Sequence, residues 1–246
     1  MTSEAWIIVP GILVLAFISG MLGLGVAFAA IPFLGFFYSD LVHQIQPLSL
    51  LLNGLTASFA AAGFARSKLI DWPKALTLSI ITTVCAPIGA YLAHFIPQTV
   101  IWVIYVGAVS FLAYRLFRPL QERAGQENLV LAYILAAPIS ILSGLLGVGP
   151  GFLLMPTLIV LGFESKKAAG MNAVAVTPPS FSALLPHLST AQWQPELAIP
   201  LLVAGAIGAF SGARVTARFV PSKRLRQIFA VMIVLVTLYK VSSLLF

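Results

Sequence analysis

Apolar runs that are long enough to cross a lipid bilayer recur along the whole sequence. The eight runs lie at about 5–37, 45–65, 74–95, 98–117, 129–162, 168–189, 196–217 and 227–246. A spanning helix needs about 20 apolar residues, and backbone groups inside lipid must pair within helices or within closed barrels. Only 9% of the residues are charged, whereas soluble proteins have about 25%. The sequence therefore predicts an all-α integral membrane protein that crosses the bilayer several times.

Two of these runs are too long for a single crossing. The runs at 5–37 and 129–162 each contain about 33 residues; as straight helices they would measure about 50 Å, against a hydrocarbon core of about 30 Å. Each run therefore either tilts strongly or breaks and turns back. The second run contains SGLLGVGPGFLLMP, from Ser143 to Pro156, and its glycines and prolines favour a break.

The stretch that favours a break occurs twice. Shifting the chain by 124 residues places ISGMLGLGVAFAAIP (18–32) on LSGLLGVGPGFLLMP (142–156), and seven of the 15 positions are identical. Because similarity at a fixed offset is the signature of duplicated units, we divide the chain into two four-segment repeats. The first repeat occupies residues 1–120, a cytoplasmic linker occupies 121–128, and the second repeat occupies 129–246.

The distribution of basic residues decides how the long runs cross the membrane, because cytoplasmic loops carry the excess of Lys and Arg. If all eight runs cross once, the 14 basic residues divide seven against seven. If the first run of each repeat returns to its own side, thirteen face one side and only Lys240 faces the other. Each repeat is therefore predicted to contain a re-entrant or broken helical hairpin followed by three transmembrane helices. Three crossings per repeat make the two repeats inverted relative to each other, a common plan for secondary transporters.

This arrangement also predicts the orientation of the chain. Both termini are expected on the periplasmic side. The cytoplasmic loops are expected at 66–74, 115–128, 163–167 and 214–226. Because the basic residues lie in these short loops, they indicate orientation and not a nucleic-acid partner.

The two breaks are the predicted binding site. A helix that restarts after a glycine turn points free N–H groups and its positive dipole end into the protein, and this can bind an anion without Lys or Arg. No charged residue lies in the middle of any run, so neutral groups are expected to complete the site. The predicted substrate-binding residues are Ser19, Gly20, Gly23, Gly25, Asn53, Thr56, Ser143, Gly144, Gly147, Gly149, Gly151, Asn172, Thr177 and Ser180. Pro178 and Pro179 are expected to kink or unwind the sixth run beside them.

Structural interpretations of the same residues stay open. Small residues spaced by four are also a packing surface between membrane helices. The two asparagines can bond between helices without touching a solute, and the hydroxyls of Thr and Ser can bond the preceding turn of their own helix. His43, His94 and His187 lack metal-ligand spacing, so neither a metal nor a cofactor is expected; proton coupling through one of them is a further hypothesis.

GVGPGFLLMP at 147–156, together with MNAVAV at 171–176, resembles the TauE/SafE (TSUP) sulfite exporter family of bacterial inner-membrane permeases. The first copy, GLGVAFAAIP at 23–32, has Val26 and Ala27 where the family pattern usually has glycines. The resemblance covers nearly the whole chain, including the two-repeat layout. It implies a location in the bacterial inner membrane and the movement of sulfite, sulfonates or related small anions.

The leading hypothesis is a secondary transporter, acting as an exporter of such an anion by alternating access between the repeats. An anion channel on the same fold is the alternative, since no carboxylate lies in the middle of a run to couple protons or sodium. A membrane-embedded structural or sensor protein is a further alternative. An enzyme is not expected, because no paired carboxylates, Cys/His pair or metal-ligand cluster lies at one depth. The anion carried, the direction of transport, the coupling ion and self-association into a homo-oligomer stay open.

Overall fold

The computed structural model describes residues 5–117, 127–192 and 195–221, together with residues 224, 227, 228 and 231. Most of the helix predicted at 227–246 and most of the linker at 121–128 lie outside the described residues. The helices are α1 (Ala5–Leu22), α2 (Ala27–Leu34), α3 (Gln46–Ala65), α4 (Trp72–Leu92), α5 (Gln98–Phe117), α6 (Leu129–Leu146), α7 (Gly151–Val160), α8 (Ser165–Leu184) and α9 (Pro195–Phe219). A π-helical turn, Leu41–Ile45, precedes α3, and a 3-10 turn, Leu185–His187, follows α8. The predicted all-α class is confirmed, since these ranges contain no strand.

Both over-long runs are broken. The first run is divided into α1 and α2, and the second into α6 and α7. The second pair closes on itself, because the Asn128 N–H before α6 donates to the Leu161 carbonyl after α7 at 3.0 Å. In the first pair, the ring of Phe33 on α2 lies against Gly11 on α1. In each pair the short helix therefore runs back beside the long one.

Within the described ranges, five stretches are helical, long and apolar enough to cross a membrane. They are Ala5–Leu22, Leu41–Ala65, Trp72–Leu92, Leu129–Leu146 and Pro195–Phe219. Their outward faces are apolar; on α4, for example, Ile80, Val84 and Ile88 are exposed one turn apart, as expected of a surface that meets lipid. The chain is therefore built as a multi-pass membrane protein. α8, which contains most of the run at 168–189, is not one of the five because it is more polar, and it lies largely buried between α3 and α4.

Helices from the two halves of the sequence pack against each other. α1 packs along α9, and α4 packs along α6. Glycines allow these close approaches: a methyl group at Gly20 would overlap the backbone of Ala209, and one at Gly144 would overlap the backbone of Ala86. The packing interpretation therefore describes Gly20 and Gly144, since small residues let membrane helices approach closely.

The prolines were expected to kink or unwind α8; the helix is continuous from Ser165 to Leu184, so it does not unwind there. Proline lacks an N–H and leaves the carbonyl four residues earlier without its helical donor. The Thr82 hydroxyl of α4 replaces the donor that Pro179 lacks, because it bonds the Ala175 carbonyl at 2.9 Å. Another helix thus supplies the missing hydrogen bond, and α8 does not need to open.

The described chain has two distinct ends. At one end, Gln98 bonds the backbone of Ser39 and Leu41, and the Gln192 N–H donates to the His43 carbonyl at 2.8 Å. At the other end, Leu69 packs on Gly170, and Lys74 pairs with Glu127. The described Lys and Arg residues of the loops and helix ends at this second end include Arg66, Lys68, Lys74, Lys166, Lys167, Arg214 and Arg218. We call the first the histidine end and the second the basic end.

Candidate functional site

The two breaks have the same backbone conformation. Gly23 and Gly25 have φ of 64° and 72°, and Gly147 and Gly149 have φ of 69° and 71°. Only glycine adopts such angles without strain. The turns also share a hydrogen bond, because Leu24 and Val148 each donate an N–H to the carbonyl five residues earlier at 3.1 Å. The glycines that the turn geometry requires are therefore present in both copies.

The departure of the first copy from the family pattern has a simple explanation. Val26 stands where the second copy has Pro150, and both residues have ordinary right-handed helical angles. Ala27 stands where the second copy has Gly151, and both begin a helix. Neither position needs the backbone angles of glycine, so Val26 and Ala27 leave the path of the first turn unchanged. Gly151 of the second copy supplies space, since a Cβ there would overlap the Leu24 carbonyl.

The N-terminus of α2 is capped by side chains of α3. The Asn53 Oδ1 accepts from the Ala27 N–H at 2.9 Å, and the Thr56 Oγ1 accepts from the Val26 N–H at 3.1 Å. Thr56 also donates to the Leu52 carbonyl at 2.7 Å, so bonding within its own helix and capping of α2 occur together. Side chains of α3 therefore satisfy the backbone N–H groups of Val26 and Ala27.

Asn53 also reaches the second turn. Its Nδ2 donates to the Ser180 Oγ at 2.8 Å, and Gly149 lies directly against this amide, where a Cβ atom would clash. Pro150, which precedes α7, supplies no side-chain cap. The N-terminus of α7 is therefore the less protected of the two, and it lies beside Asn53 and Ser180.

Asn172 also contacts both turns, and it does so as a donor to their backbone carbonyls. Its Nδ2 donates to the Gly23 carbonyl at 2.8 Å and to the Gly151 carbonyl at 3.3 Å. Thr177, by contrast, bonds the Ala173 carbonyl of its own helix at 2.9 Å and is only partly buried. The structure brings Asn53, Asn172 and Ser180 to the turns and shows no bond from Thr177 to them.

Several polar atoms around the turns are buried without a hydrogen-bond partner. They include the hydroxyls of Ser19 and Ser143, which precede the two turns, and the Oδ1 of Asn172. A buried polar atom without a partner costs about 1–3 kcal/mol, so such atoms in a native protein require an explanation. A solute that supplies hydrogen-bond partners at the turns would provide one.

Three residues beside the turns are absent from the predicted set. The rings of Phe28 and Phe152, at the starts of α2 and α7, stack with centroids 5.5 Å apart and planes 13° apart. Gln46 packs on Gly147, donates to the Leu145 carbonyl at 3.1 Å, and has an unpartnered Oε1. The two phenylalanines had a signal, since they are an identical pair in the shifted sequences; Gln46 had none.

The chemistry of the region is that of binding. The buried polar side chains in the described part of the chain include no Asp, Glu, Lys or Arg. Among the same residues, no group of three His, Cys, Asp or Glu side chains is placed to hold a metal ion. Backbone N–H groups, amides and hydroxyls are what the two turns offer to a solute.

Comparison with known proteins agrees with a membrane transport role. The model of the family described as sulfite exporter TauE/SafE matches residues 8–240. A probable membrane transporter protein of Methanocaldococcus jannaschii is 23% identical over 201 residues, which cover 76% of this chain and 74% of that protein. No solved structure matches the chain.

Proposed function

Because the chain belongs to the sulfite exporter TauE/SafE family, we propose that it is a secondary transporter that exports a small anion across the bacterial inner membrane. Sulfite, a sulfonate or a related organic anion is the proposed class of substrate. The observation that carries the proposal is the meeting of two glycine turns at Asn53 and Asn172, with buried hydroxyls left unpartnered beside them.

The proposed anion site lies at the N-terminus of α7. Pro150 supplies no side-chain cap to this helix start, and the dipole of a helix favours negative charge at its N-terminus. The Ser143 hydroxyl is free to donate, and the Asn53 amide is close to Gly149. The Asn172 Oδ1 can only accept, which suits an anion that carries its own donor, such as hydrogen sulfite. Neutral partners also allow release, since no buried Lys or Arg holds the anion.

The packing of the helices supports alternating access between inverted repeats. The helix ends of the α1 and α2 pair that lie away from its glycine turn point toward the histidine end. The corresponding ends of α6 and α7 lie at the basic end, where the Asn128 N–H donates to the Leu161 carbonyl. The packing of α1 on α9 is matched by that of α6 on α4. Two repeats, at 1–120 and 129–246, that are related by a twofold axis in the membrane plane would have this matched packing. In the proposed cycle, one group of helices moves against the other around the turns.

The first test uses the unpartnered hydroxyls. In proteoliposomes, sulfite, sulfoacetate, thiosulfate and a short carboxylate are offered in turn, and the concentration dependence of flux is measured. Ser143→Ala and Ser19→Ala are expected to raise the KM about tenfold, the effect of losing about 1.4 kcal/mol of binding energy. Thermal stability should be unchanged or higher, because no hydrogen bond within the protein is lost.

Ser58→Ala is the matched control. The Ser58 hydroxyl bonds the Gly54 carbonyl of its own helix at 2.7 Å, so its removal is expected to leave the KM unchanged. Well-folded protein that transports none of the four anions would contradict the proposed function. Equal effects of all three substitutions would contradict the proposed site.

An anion channel is the second candidate. It is favoured by the absence of buried carboxylates in the described spans, since such groups often carry the coupling proton or sodium ion. Counterflow distinguishes the two: a transporter exchanges labelled anion inside for unlabelled anion outside and saturates, whereas a channel does neither.

A further inference from the structure

Three amide side chains pack against the second glycine turn and the start of α7. A Cβ atom on any of the three glycines there would lie 3.0 Å or less from the amide side chain that faces it. The pairs are Gln46 with Gly147, Asn53 with Gly149, and Asn172 with Gly151. All three amide side chains are fully buried. Each glycine of the sequence GVGPG therefore has one buried amide group against it.

The middle amide is engaged at both of its polar atoms. The Asn53 Oδ1 accepts from the Ala27 N–H at 2.9 Å, and its Nδ2 donates to the Ser180 Oγ at 2.8 Å. The Ser180 hydroxyl in turn donates to the Val176 carbonyl at 2.6 Å. Asn53 therefore has a structural partner for its oxygen and for its nitrogen.

The two outer amides are engaged only through their nitrogens. The Gln46 Nε2 donates to the Leu145 carbonyl at 3.1 Å, and the Asn172 Nδ2 donates to the Gly23 carbonyl at 2.8 Å. The Gln46 Oε1 and the Asn172 Oδ1 are buried without a hydrogen-bond partner. One unpaired amide oxygen therefore lies on either side of the saturated Asn53.

Backbone carbonyls fix the orientation of both outer amides. If the Gln46 amide were turned over, its oxygen would face the Leu145 carbonyl oxygen, and neither atom could donate. The same holds for Asn172 and the Gly23 carbonyl. The oxygen of an amide accepts hydrogen bonds and cannot donate them. Both unpaired oxygens are therefore available only to a group that brings an N–H or O–H.

A simple anion does not supply that group. Its charged oxygens accept hydrogen bonds, so the N–H groups at the start of α7 and the Ser143 hydroxyl suit them. Against an amide oxygen the same charged oxygens meet a second acceptor, which is repulsive. The unpaired oxygens of Gln46 and Asn172 need a part of the solute that donates.

We propose that the transported anion carries a hydrogen-bond donor, and that Gln46 selects for this donor by accepting from it at Oε1. This inference rests on the proposed function. The substrate class is a small sulfonate or carboxylate with a hydroxyl group beside its charge, or an acid anion that keeps a proton. An anion without a donor leaves the buried oxygens unpaired, and a site built to bond a hydroxyl group rejects the analogue that lacks it.

Pairs of anions that differ only in the donor test the proposal. Hydroxyethanesulfonate is compared with propanesulfonate, and glycolate with propionate, because a methyl group replaces the hydroxyl group in each pair. Each anion competes with counterflow of labelled sulfite or, in parallel, labelled sulfoacetate in proteoliposomes. In at least one pair the hydroxylated anion is expected to reach half-inhibition at about tenfold lower concentration, the effect of one hydrogen bond. This comparison uses the wild-type protein and needs no variant to fold.

Gln46→Met assigns the preference to this side chain. Methionine has a similar length and volume but no amide, so the preference for the hydroxylated anion is expected to fall at least about threefold. Because the preference is a ratio measured in one protein, loss of the bond to the Leu145 carbonyl does not by itself change it. Gln44→Met is the matched control. The Gln44 Nε2 donates to the Gln192 Oε1 at 2.9 Å at the histidine end, and this variant is expected to keep the full preference.

The possible outcomes separate this inference from the proposed function. Equal competition by both members of each pair in the wild-type protein, or competition by neither, would contradict selection for a donor while counterflow itself still supports transport. A preference that is unchanged in Gln46→Met would contradict the role of Gln46. If the wild-type protein shows no counterflow of sulfite or sulfoacetate, the proposed function fails, and the inference that rests on it fails too.

Discussion

At the scale of single residues, the glycines divide into two groups with different physical roles. Gly23, Gly25, Gly147 and Gly149 supply left-handed backbone angles at the turns. Gly20 and Gly144 have helical angles and supply space for a neighbouring backbone. Both groups belong to the same repeated motif, yet only the first group shapes the proposed binding site. Substitutions in the two groups should therefore fail in different ways.

Gly149→Ala tests the first role. A methyl group there strains the backbone and meets the Asn53 amide, which would break the bond from Asn53 to Ser180. We expect a loss of about 1–3 kcal/mol of stability and at least about a tenfold rise in the KM for the transported anion. Differential scanning fluorimetry in detergent and proteoliposome flux measure the two effects.

Gly107→Ala is the matched control for this substitution. Gly107 lies in α5, and nothing occupies the space within 4 Å of the position that its Cβ would take. Alanine is also the better helix former, so stability should stay equal or rise slightly and flux should not change. A Gly149→Ala protein that behaves like Gly107→Ala would show that the turn does not need glycine.

The sequence predicted the local backbone chemistry of the site well, because the need for glycine is visible in the chain itself. The neutral polar partners Asn53 and Asn172 were also predicted. The sequence did not reveal that Asn53 caps α2 while it contacts the turn before α7, since this depends on the packing of helices distant in sequence. Gln46 was missed for the same reason: a single amide at the start of an apolar run carries no repeated pattern.

At the scale of helices, α4 and α8 each supply a hydrogen-bond donor that a proline in the other helix lacks. Pro179 leaves the Ala175 carbonyl of α8 without a helical donor, and Thr82 of α4 bonds it. Pro87 has the same effect on the Thr83 carbonyl of α4, and the Ser182 hydroxyl of α8 bonds that carbonyl at 2.8 Å. The expectation that prolines open α8 failed because it considered one helix alone. Two hydroxyls from facing helices restore the hydrogen bonds, and the exchange joins α4 to α8.

A double substitution tests this exchange. Ser182→Ala leaves the Thr83 carbonyl without a donor and is expected to lower stability by about 1 kcal/mol, or about 2–4 °C in melting temperature for a chain of this size. Pro87→Ala restores a backbone N–H for the same carbonyl. The double variant should therefore recover most of the loss, which thermal unfolding of the three proteins in one detergent would measure.

A hydroxyl that bonds only within its own helix serves as the control for this double substitution. Ser58→Ala removes a hydroxyl that bonds within its own helix, and it should cost less than Ser182→Ala. If Pro87→Ala and Ser182→Ala have additive effects, the two residues do not act on the same carbonyl.

At the scale of the whole molecule, charge distinguishes the two ends of the bundle. The basic end carries the described Lys and Arg residues from both halves of the sequence, and the histidine end carries Asp40 and the three histidines. Because basic residues stay in the cytoplasm, we expect the histidine end to face the periplasm. The charge count in the sequence led to the same expectation, but the sequence could not bring His43, His94 and His187 together, because their proximity depends on how α3, α4 and α8 pack.

Cysteine labelling tests this orientation. In a Cys85→Ser background, Ser39→Cys and Ser189→Cys place a thiol from each half at an exposed position of the histidine end. At the basic end, Ser67→Cys places a thiol at a partly exposed position and Lys167→Cys at an exposed one. An impermeant maleimide should label the first two variants in intact spheroplasts and the other two only after the membrane is permeabilised. Labelling of Ser39→Cys and Ser189→Cys from opposite sides would contradict the inverted arrangement, because each half would then present its histidine-end loop to a different compartment. Labelling of all four variants with the two sides exchanged would keep the arrangement and reverse its orientation.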